Sequence, residues 1–190
     1  MNNKQNRRAQ FRRYSDRRVT ALLELHEILF YEPVGAARNM LLMNTINEDY
    51  QTDRVALVQT VSEKPSCVTV LSASEKWPVS GAGTLLEGEG IQRIVLTHQH
   101  FEGALTLSKF RSSSAFSISE WQSLWERDLG APASALLSVP VFPRKLAPAF
   151  LWLVADSGSR EWSSHDRDLS EEEALMMARV IQQGMLGISR

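Results

Sequence analysis

The pattern of apolar and polar positions divides the chain into a helical beginning, a β-rich body and a helical end. Apolar residues recur at helical spacing over residues 19–30, and Pro33 interrupts that pattern. Because proline is tolerated in the first turn of a helix, a second helix is predicted from Val34 to about Asn47. The chain is therefore expected to begin with two consecutive helices.

Beyond Asp49 the period of the pattern changes from helix to strand. Residues 54–61 (RVALVQTV) and 67–74 (CVTVLSAS) are rich in β-branched side chains, and SEKPS between them supplies a turn. Residues 134–142 and 149–155 each alternate with a two-residue period. Two β-hairpins follow, and the second is expected to bury one apolar face.

The middle and the end of the chain give weaker signals. Residues 81–90 contain four glycines that match neither phosphate-binding fingerprint, so they predict a flexible connection. A short helix over residues 91–96, a strand in FEGALTL and a helix over residues 119–128 are predicted after it. Ser170 and Glu173 have capping-box spacing, which predicts the start of a closing helix.

Length and charge indicate one domain with a basic extension. The 190 residues suit a single domain over residues 17–190, preceded by a basic arm over residues 1–16. Residues 1–18 carry seven Lys or Arg and one Asp, hence +6, while the other 14 basic and 21 acidic residues sum to −7. Such an arm could contact nucleic acid, anionic lipid or the acidic body itself.

The cellular compartment is predicted from two features that the sequence lacks, a membrane span and a pair of cysteines. No stretch approaches the roughly 18 apolar residues of a membrane span. Cys67 is the single cysteine, which excludes an internal disulfide and a cysteine-based zinc site. A reducing, cytoplasmic location is expected.

Three segments, ASALLSVPVF, AFLWLVADS and REWSSHDRDLSEEEALMMARVIQQG, resemble the GAF domain family. They look like the family's last two core strands and its closing helix. The resemblance implies an α+β fold with a central antiparallel sheet, helices on both faces, and the N- and C-terminal helices packed together. It also implies a small-molecule pocket under the middle segment, and a sensory or regulatory role as a homodimer.

Known chemical branches of that family do not match. The Asn-Lys, Phe, Asp-Glu signature of cyclic-nucleotide-binding members is absent, and Cys67 is followed by Val68 instead of the His common in bilin-binding members. Methionine sulfoxide reductases on this fold need a second thiol to resolve a sulfenic acid. No cofactor follows from the residues, and the ligand or signalling partner stays unidentified.

Candidate ligand-binding residues come from the family layout and from side-chain chemistry. Aromatic rings and an arginine could hold a planar or anionic ligand, although core packing is the competing explanation for the tryptophans. His98, His100 and Glu102 would share one face on a strand and could then bind a metal, but they would diverge on a helix. The candidate set is Trp77, Arg93, His98, His100, Trp121 and Trp125.

The first helix is apolar over more surface than one sheet face covers. If Val19, Leu22, Leu23 and Leu29 pack inward, a second copy is expected to cover the remaining apolar positions. The predicted dimer interface is Ala21, Leu25 and Ile28.

No catalytic centre is expected, because the adjacent Ser164, His165 and Asp166 point in different directions and cannot form a relay. The sequence therefore favours a GAF-like sensory domain over an enzyme. The alternative is a nucleotide- or nucleic-acid-binding module that uses the arginine arm.

Overall fold

The computed structural model describes residues 19–50, 52–62, 64–77, 82–101, 103–106, 118–141, 147–156 and 171–187. Within these ranges the helices are α1 (residues 19–31), α2 (Ala36–Asp49), α3 (Glu89–His100), α4 (Ile118–Leu129) and α5 (Glu171–Gly187). The strands are β1 (Arg54–Val61), β2 (Lys64–Ala73), β3 (Leu85–Glu87), β4 (Leu105–Thr106), β5 (Ala135–Pro140) and β6 (Ala149–Ala155).

The six strands form one antiparallel sheet in the order β3-β2-β1-β6-β5-β4. The two predicted hairpins, β1–β2 and β5–β6, are confirmed. They join along β1 and β6, where Arg54 lies opposite Val154 and Gln59 lies opposite Ala149. All residues of β5 and β6 are buried, so this hairpin buries both faces instead of the single face predicted. Helices cover the sheet on both sides.

One face of the sheet carries the terminal helices. A single apolar cluster joins Leu25 and Leu29 of α1, Met43 of α2 and Ile181 of α5 to inward residues of the central strands such as Leu151. The first and closing helices therefore share one core, as the α+β prediction requires. We call α1, α2 and α5 the terminal-helix layer.

The other face carries α3 and α4. Their apolar residues form a second cluster with Ala56, Val58, Phe150 and Trp152 of the sheet. Alternation along β1 explains the division, because Val55 and Leu57 face the terminal-helix layer. We call the second cluster the aromatic layer, since it contains Trp77, Trp121, Trp125, Phe150 and Trp152.

The orientation of α1 differs from the prediction. Ala21, Leu25 and Ile28, predicted to form the dimer interface, are buried within the single chain, with Leu25 fully inaccessible. Val19 and Leu23, predicted to pack inward, are 56% and 59% exposed. Helical spacing predicts two apolar stripes on α1 but does not indicate which of them packs against the sheet and becomes buried. The prediction of these three residues as an exposed interface is therefore wrong.

The middle of the chain is more regular than predicted. The glycine-rich connection includes β3, and α3 begins at Glu89 and continues to His100. His98 and His100 consequently lie on a helix instead of a strand. Several predictions lie outside the described residues: the basic arm, the Ser170 cap, Glu102, and the segment that contains Ser164, His165 and Asp166.

Candidate functional site

The first turn of α3 is held against α4 by a buried carboxylate. Oδ2 of Asp128 accepts hydrogen bonds from the backbone N–H of Gly90 at 2.7 Å and of Ile91 at 3.3 Å. These are N–H groups that a helix leaves without internal partners. A Cβ on Gly88 would overlap the Asp128 carboxyl group, so the close approach of the two helices requires glycine there. Asp128 thus fixes the position of α3 over the sheet.

At the far end of α3, His98 connects the helix to the sheet through three hydrogen bonds in series. Its Nδ1 lies 3.2 Å from the Phe101 carbonyl oxygen, and its Nε2 lies 2.9 Å from Oγ of Ser138. Trp152 donates its indole N–H to the same Oγ at 3.1 Å. A carbonyl only accepts, so Nδ1 carries the proton and Nε2 accepts from the Ser138 hydroxyl. The neutral imidazole satisfies every group in the series.

Burial keeps this histidine neutral. The ring is buried and stacks on Phe150 with centroids 4.7 Å apart. Removal from water lowers the pKa of His98 to about 4, although the hydrogen bond to the Phe101 carbonyl acts in the opposite direction. His98 is therefore uncharged near neutral pH, and its two ring nitrogens link the end of α3 to β5 by hydrogen bonds within the aromatic layer.

Tryptophan side chains fill the space between α4 and the sheet. Trp125 is fully buried and meets Trp152 edge to face, with centroids 5.3 Å apart. Trp121 is 1% exposed, and the guanidinium carbon of Arg93 lies 5.7 Å from its ring centroid. Arg93 also forms an exposed ion pair with Glu89, one turn earlier on α3. In the part of the chain that the structure describes, these tryptophan rings belong to one hydrophobic core with the sheet.

At the edge of the same layer, Arg54 is buried beside Trp77. Its Nε donates to Oδ1 of Asp156 at 2.6 Å and its Nη2 donates to the Pro132 carbonyl oxygen. The guanidinium carbon lies 5.7 Å from the Trp77 ring centroid. Nη1 of Arg54 and Nε1 of both Trp77 and Trp125 are buried donors that find no acceptor among the residues that the structure describes. Such donors are costly to bury and are rare in folded proteins.

Comparison with solved structures identifies the architecture. A GAF domain from an Acinetobacter phosphoenolpyruvate-protein phosphotransferase superposes with a TM-score of 0.63 over 90% of this chain and 93% of its own, at 11% identity. The chain has a GAF-like fold. Residues 122 to 287 of a methyl-accepting chemotaxis protein match with a TM-score of 0.57 at 10% identity, covering 90% and 98% of the two chains.

A third similar structure is a phycocyanobilin-bound GAF domain from a cyanobacterial phytochrome, with a TM-score of 0.57, 12% identity and coverage of 91% and 98%. No protein-family model matches this GAF-like chain. No curated protein matches its sequence. At identities this low the likeness establishes the fold, and the resemblance deduced from the sequence is confirmed at that level.

The GAF-like fold brings most of the candidate ligand residues to one layer. Trp77, His98, Trp121 and Trp125 are buried there, and Arg93 reaches Trp121 from the surface of α3. The other candidate, His100, is exposed and separate from them. His98 and His100 point in different directions, as expected on a helix, and the described residues contain no group of three or more metal-ligating side chains. Ligand binding by these residues stays a prediction.

Sequence reasoning missed four polar residues of this layer: Ser138, Trp152 as a donor, Asp128 and Arg54. Ser138 and Arg54 are polar residues at positions where their strands are otherwise apolar and buried. A buried polar residue must find a partner, and that requirement is the signal that could have marked both. Their partners are 14 to 102 positions away in the chain, which only the fold reveals.

The GAF-like chain also presents an apolar surface on its terminal-helix layer. Val19, Leu23 and Phe30 of α1 are between 46% and 59% exposed, and His26 stacks on Phe30 with centroids 4.4 Å apart. We call Val19, Leu23, His26 and Phe30 the outer stripe. No helix in the described part of the chain is long and apolar enough to cross a membrane.

A groove of about 510 Å³ runs between α1 and α2 beside the outer stripe. Three glutamates contribute to its walls, and we call it the acidic groove; its lining residues are Glu24, Glu27, Ile28, Tyr31, Glu32 and Thr45.

Proposed function

We propose that this chain is a GAF-type regulatory domain that works as a homodimer through its terminal-helix layer. In this proposal the outer stripe of α1 binds a second copy, and changes in that contact transmit the domain's state to a signalling partner. The single observation that carries the proposal is the two-sided character of α1. Leu25 is fully buried against the sheet, whereas Leu23, on the opposite side, is 59% exposed.

The composition of the two layers supports binding through the outer stripe of α1. Exposed apolar patches mark interaction sites, and the outer stripe continues into Tyr31 and Val34, which are 78% and 64% exposed. On the other face, Trp121 and Trp125 are 1% and 0% exposed and occupy the region where the resemblance implies a ligand. A filled aromatic layer favours an interaction module over a permanent ligand carrier. Covalent bilin attachment is not proposed, because Cys67 is buried.

Sedimentation velocity tests the proposal. The wild-type chain is expected to sediment as a dimer at micromolar concentration, and the double variant Leu23→Glu/Phe30→Glu as a folded monomer, because four carboxylates would face each other across the interface. Leu85→Glu is the matched control: Leu85 is 57% exposed on β3, away from α1, so this variant should remain dimeric. A monomeric wild type, or a dimeric double variant, contradicts the proposal.

A second candidate function is the binding of a small hydrogen-bond acceptor within the aromatic layer. The observation in its favour is a set of buried donors that have no acceptor within the described part of the chain: Nη1 of Arg54, Nε1 of Trp77 and Nε1 of Trp125. Arg54 already forms an ion pair with Asp156, so its charge is balanced. A neutral acceptor such as a carbonyl oxygen therefore suits the site better than an anion would.

Native mass spectrometry of freshly purified protein tests this candidate. A metabolite that is retained by the wild type and lost in Trp125→Phe and Trp77→Phe would support it. If the wild type carries nothing and Trp125→Phe is as stable as the wild type, the indole N–H makes no hydrogen bond and this candidate is wrong. Trp152→Phe is the control, since its N–H is already bonded to Ser138.

A further inference from the structure

We propose that the last turn of α3 together with Phe101, residues 96–101, is a proton-operated gate over the aromatic layer. We call these residues the α3 gate. Protonation of His98 releases the gate from the sheet while the rest of the domain stays folded, and Ser138 and Trp152 become open to solvent. The inference does not depend on the proposed dimerisation, because it concerns the opposite face of the sheet.

A single buried side chain fastens the α3 gate. Within it only His98 is buried, at 3% exposed, whereas Leu96 and Phe101 are 40% and 39% exposed. The earlier turns of α3 contribute three apolar residues to the core: Ile91, Ile94 and Val95. Detachment of the gate therefore exposes little apolar surface, and segments with few buried apolar contacts open locally at low cost.

The beginning of α3 is fastened without His98. The Asp128 carboxylate accepts from the N–H groups of Gly90 and Ile91, and a Cβ on Gly90 would lie 2.9 Å from its Oδ2. His98 lies about 10 Å further along the helix axis than Ile91. The gate can therefore open with these contacts in place, and Val95 is the last residue of α3 before the gate that belongs to the core.

Protonation of His98 introduces a charge that the described residues do not balance. β5 and β6, which contact the ring, and β4 beside them contain no ionisable side chain. The charged residues that are partly or fully buried around this layer pair with one another: Glu89 with Arg93, Arg127 with Asp128 and Arg54 with Asp156. The other ionisable residues of α3, α4, β2 and β3 are exposed to solvent, apart from the buried thiol of Cys67: His100, Glu120, Glu126, Lys64 and Glu87. Water therefore solvates the protonated ring better than the closed gate does.

The pKa values of the closed and open forms set how strongly acid favours opening. Burial lowers the pKa of His98 to about 4 in the closed form, whereas an exposed ring has the ordinary value near 6.5. Because the closed form has the lower pKa, the open form binds the proton first, and opening becomes easier as the pH falls from about 6.5 towards 4. Relative to pH 8, the equilibrium constant for opening should rise about fourfold at pH 6 and about 30-fold at pH 5.

Opening gives access to an interior that is otherwise closed. Ser138 and Trp152 are 0% exposed, and Phe150, on which the His98 ring stacks, is 1% exposed. Removal of the ring uncovers the face of Phe150 and frees the Ser138 hydroxyl to donate to water or to a small polar solute. The gate thus controls entry to the aromatic layer at the end where α3 meets β5.

Hydrogen exchange under native conditions tests the gate. Amide exchange of the wild type is followed by mass spectrometry at pH 5, 6, 7 and 8, without urea and with about 1 M urea, and corrected for the pH dependence of intrinsic exchange. Peptides that contain residues 96–101 should lose protection about 30-fold between pH 8 and pH 5, with little effect of urea, because a small opening exposes little surface. Peptides from β6 should be better protected at each pH and should lose protection in urea, because they exchange through global unfolding.

Two histidine variants identify the group that operates the gate. His98→Gln should remove the pH dependence of protection in residues 96–101, and His100→Gln, an exposed neighbour, is the matched control that should keep it. If residues 96–101 match β6 in protection and in urea dependence, His98 titrates only through global unfolding and the inference is wrong. Wild-type protection of these residues that does not change with pH also overturns it, whether or not His98→Gln folds. Neither outcome affects the proposed dimerisation, which sedimentation velocity tests separately.

Discussion

Lowering the pH should destabilise the fold through His98. The pKa of His98 is about 4 in the folded chain and near the ordinary 6.5 once the ring is exposed on unfolding. Because the folded pKa is the lower one, the unfolded state binds the proton first. The contribution of the neutral ring is complete above about pH 6.5 and is lost as the pH falls towards 4.

The size of the effect follows from the two pKa values. At pH 5 nearly all unfolded chains and only about a tenth of folded chains carry the proton on His98, which lowers the free energy of unfolding by about 2 kcal/mol relative to pH 8. At pH 6 the loss is about 1 kcal/mol. The structural cause is burial of the ring away from water, which disfavours the charged imidazolium and lowers the pKa of His98.

Urea unfolding at pH 5, 6, 7 and 8 measures this contribution. His98→Gln should be less stable than the wild type at pH 8 but should lose less stability between pH 8 and pH 5, by the same margin of about 2 kcal/mol. His100→Gln, which removes an exposed histidine two residues away, should keep the wild-type pH dependence. Equal pH profiles for the wild type and His98→Gln would refute the reasoning.

Three further predictions concern the core. Leu25→Glu/Ile28→Glu should abolish the cooperative thermal transition in circular dichroism, because both side chains are buried in the single chain; a folded monomer would instead show that they are external. Gly88→Ala should lower the free energy of unfolding by about 1–3 kcal/mol through overlap with the capping carboxylate; Gly35→Ala, whose Cβ meets nothing, is the control for urea titration. The pKa of Cys67 is raised by burial and then by Glu87, so native protein should react slowly with a thiol reagent and unfolded protein quickly; equal rates would contradict this.

The hairpins illustrate how much of the fold the sequence could predict. Residues 54–61 and 149–155 show β-branched or alternating apolar patterns, and both became central strands. Residues 149–155 are apolar at every position, a pattern typical of a strand covered on both faces, but the sequence does not show which elements cover the second face. Here α3 and α4 provide that cover, and their placement depends on Asp128, 38 positions from Gly90.

The candidate site was predictable in composition but not in geometry. Spacing alone placed Trp121 and Trp125 on one face of a helix, and both now lie in the aromatic layer. The same reasoning left the histidines undecided, because helix and strand give opposite directions at two-residue spacing. The helix of α3 separates His100 from His98, and the sheet supplies Ser138 as the partner of His98.

By itself the sequence determined the first two helices, the two hairpins and the closing helix, the basic end and acidic body, the single thiol and the resemblance to GAF domains. These properties are local, since they depend on the period, charge and identity of neighbouring residues. The tertiary structure alone decided which stripe of α1 is buried: Leu25 and Leu23 are both leucines on one helix, yet one is inaccessible and the other is 59% exposed. That choice depends on the sheet, α2 and α5, whose buried residues share one apolar cluster with Leu25 although the central strands and α5 are distant from it in the chain.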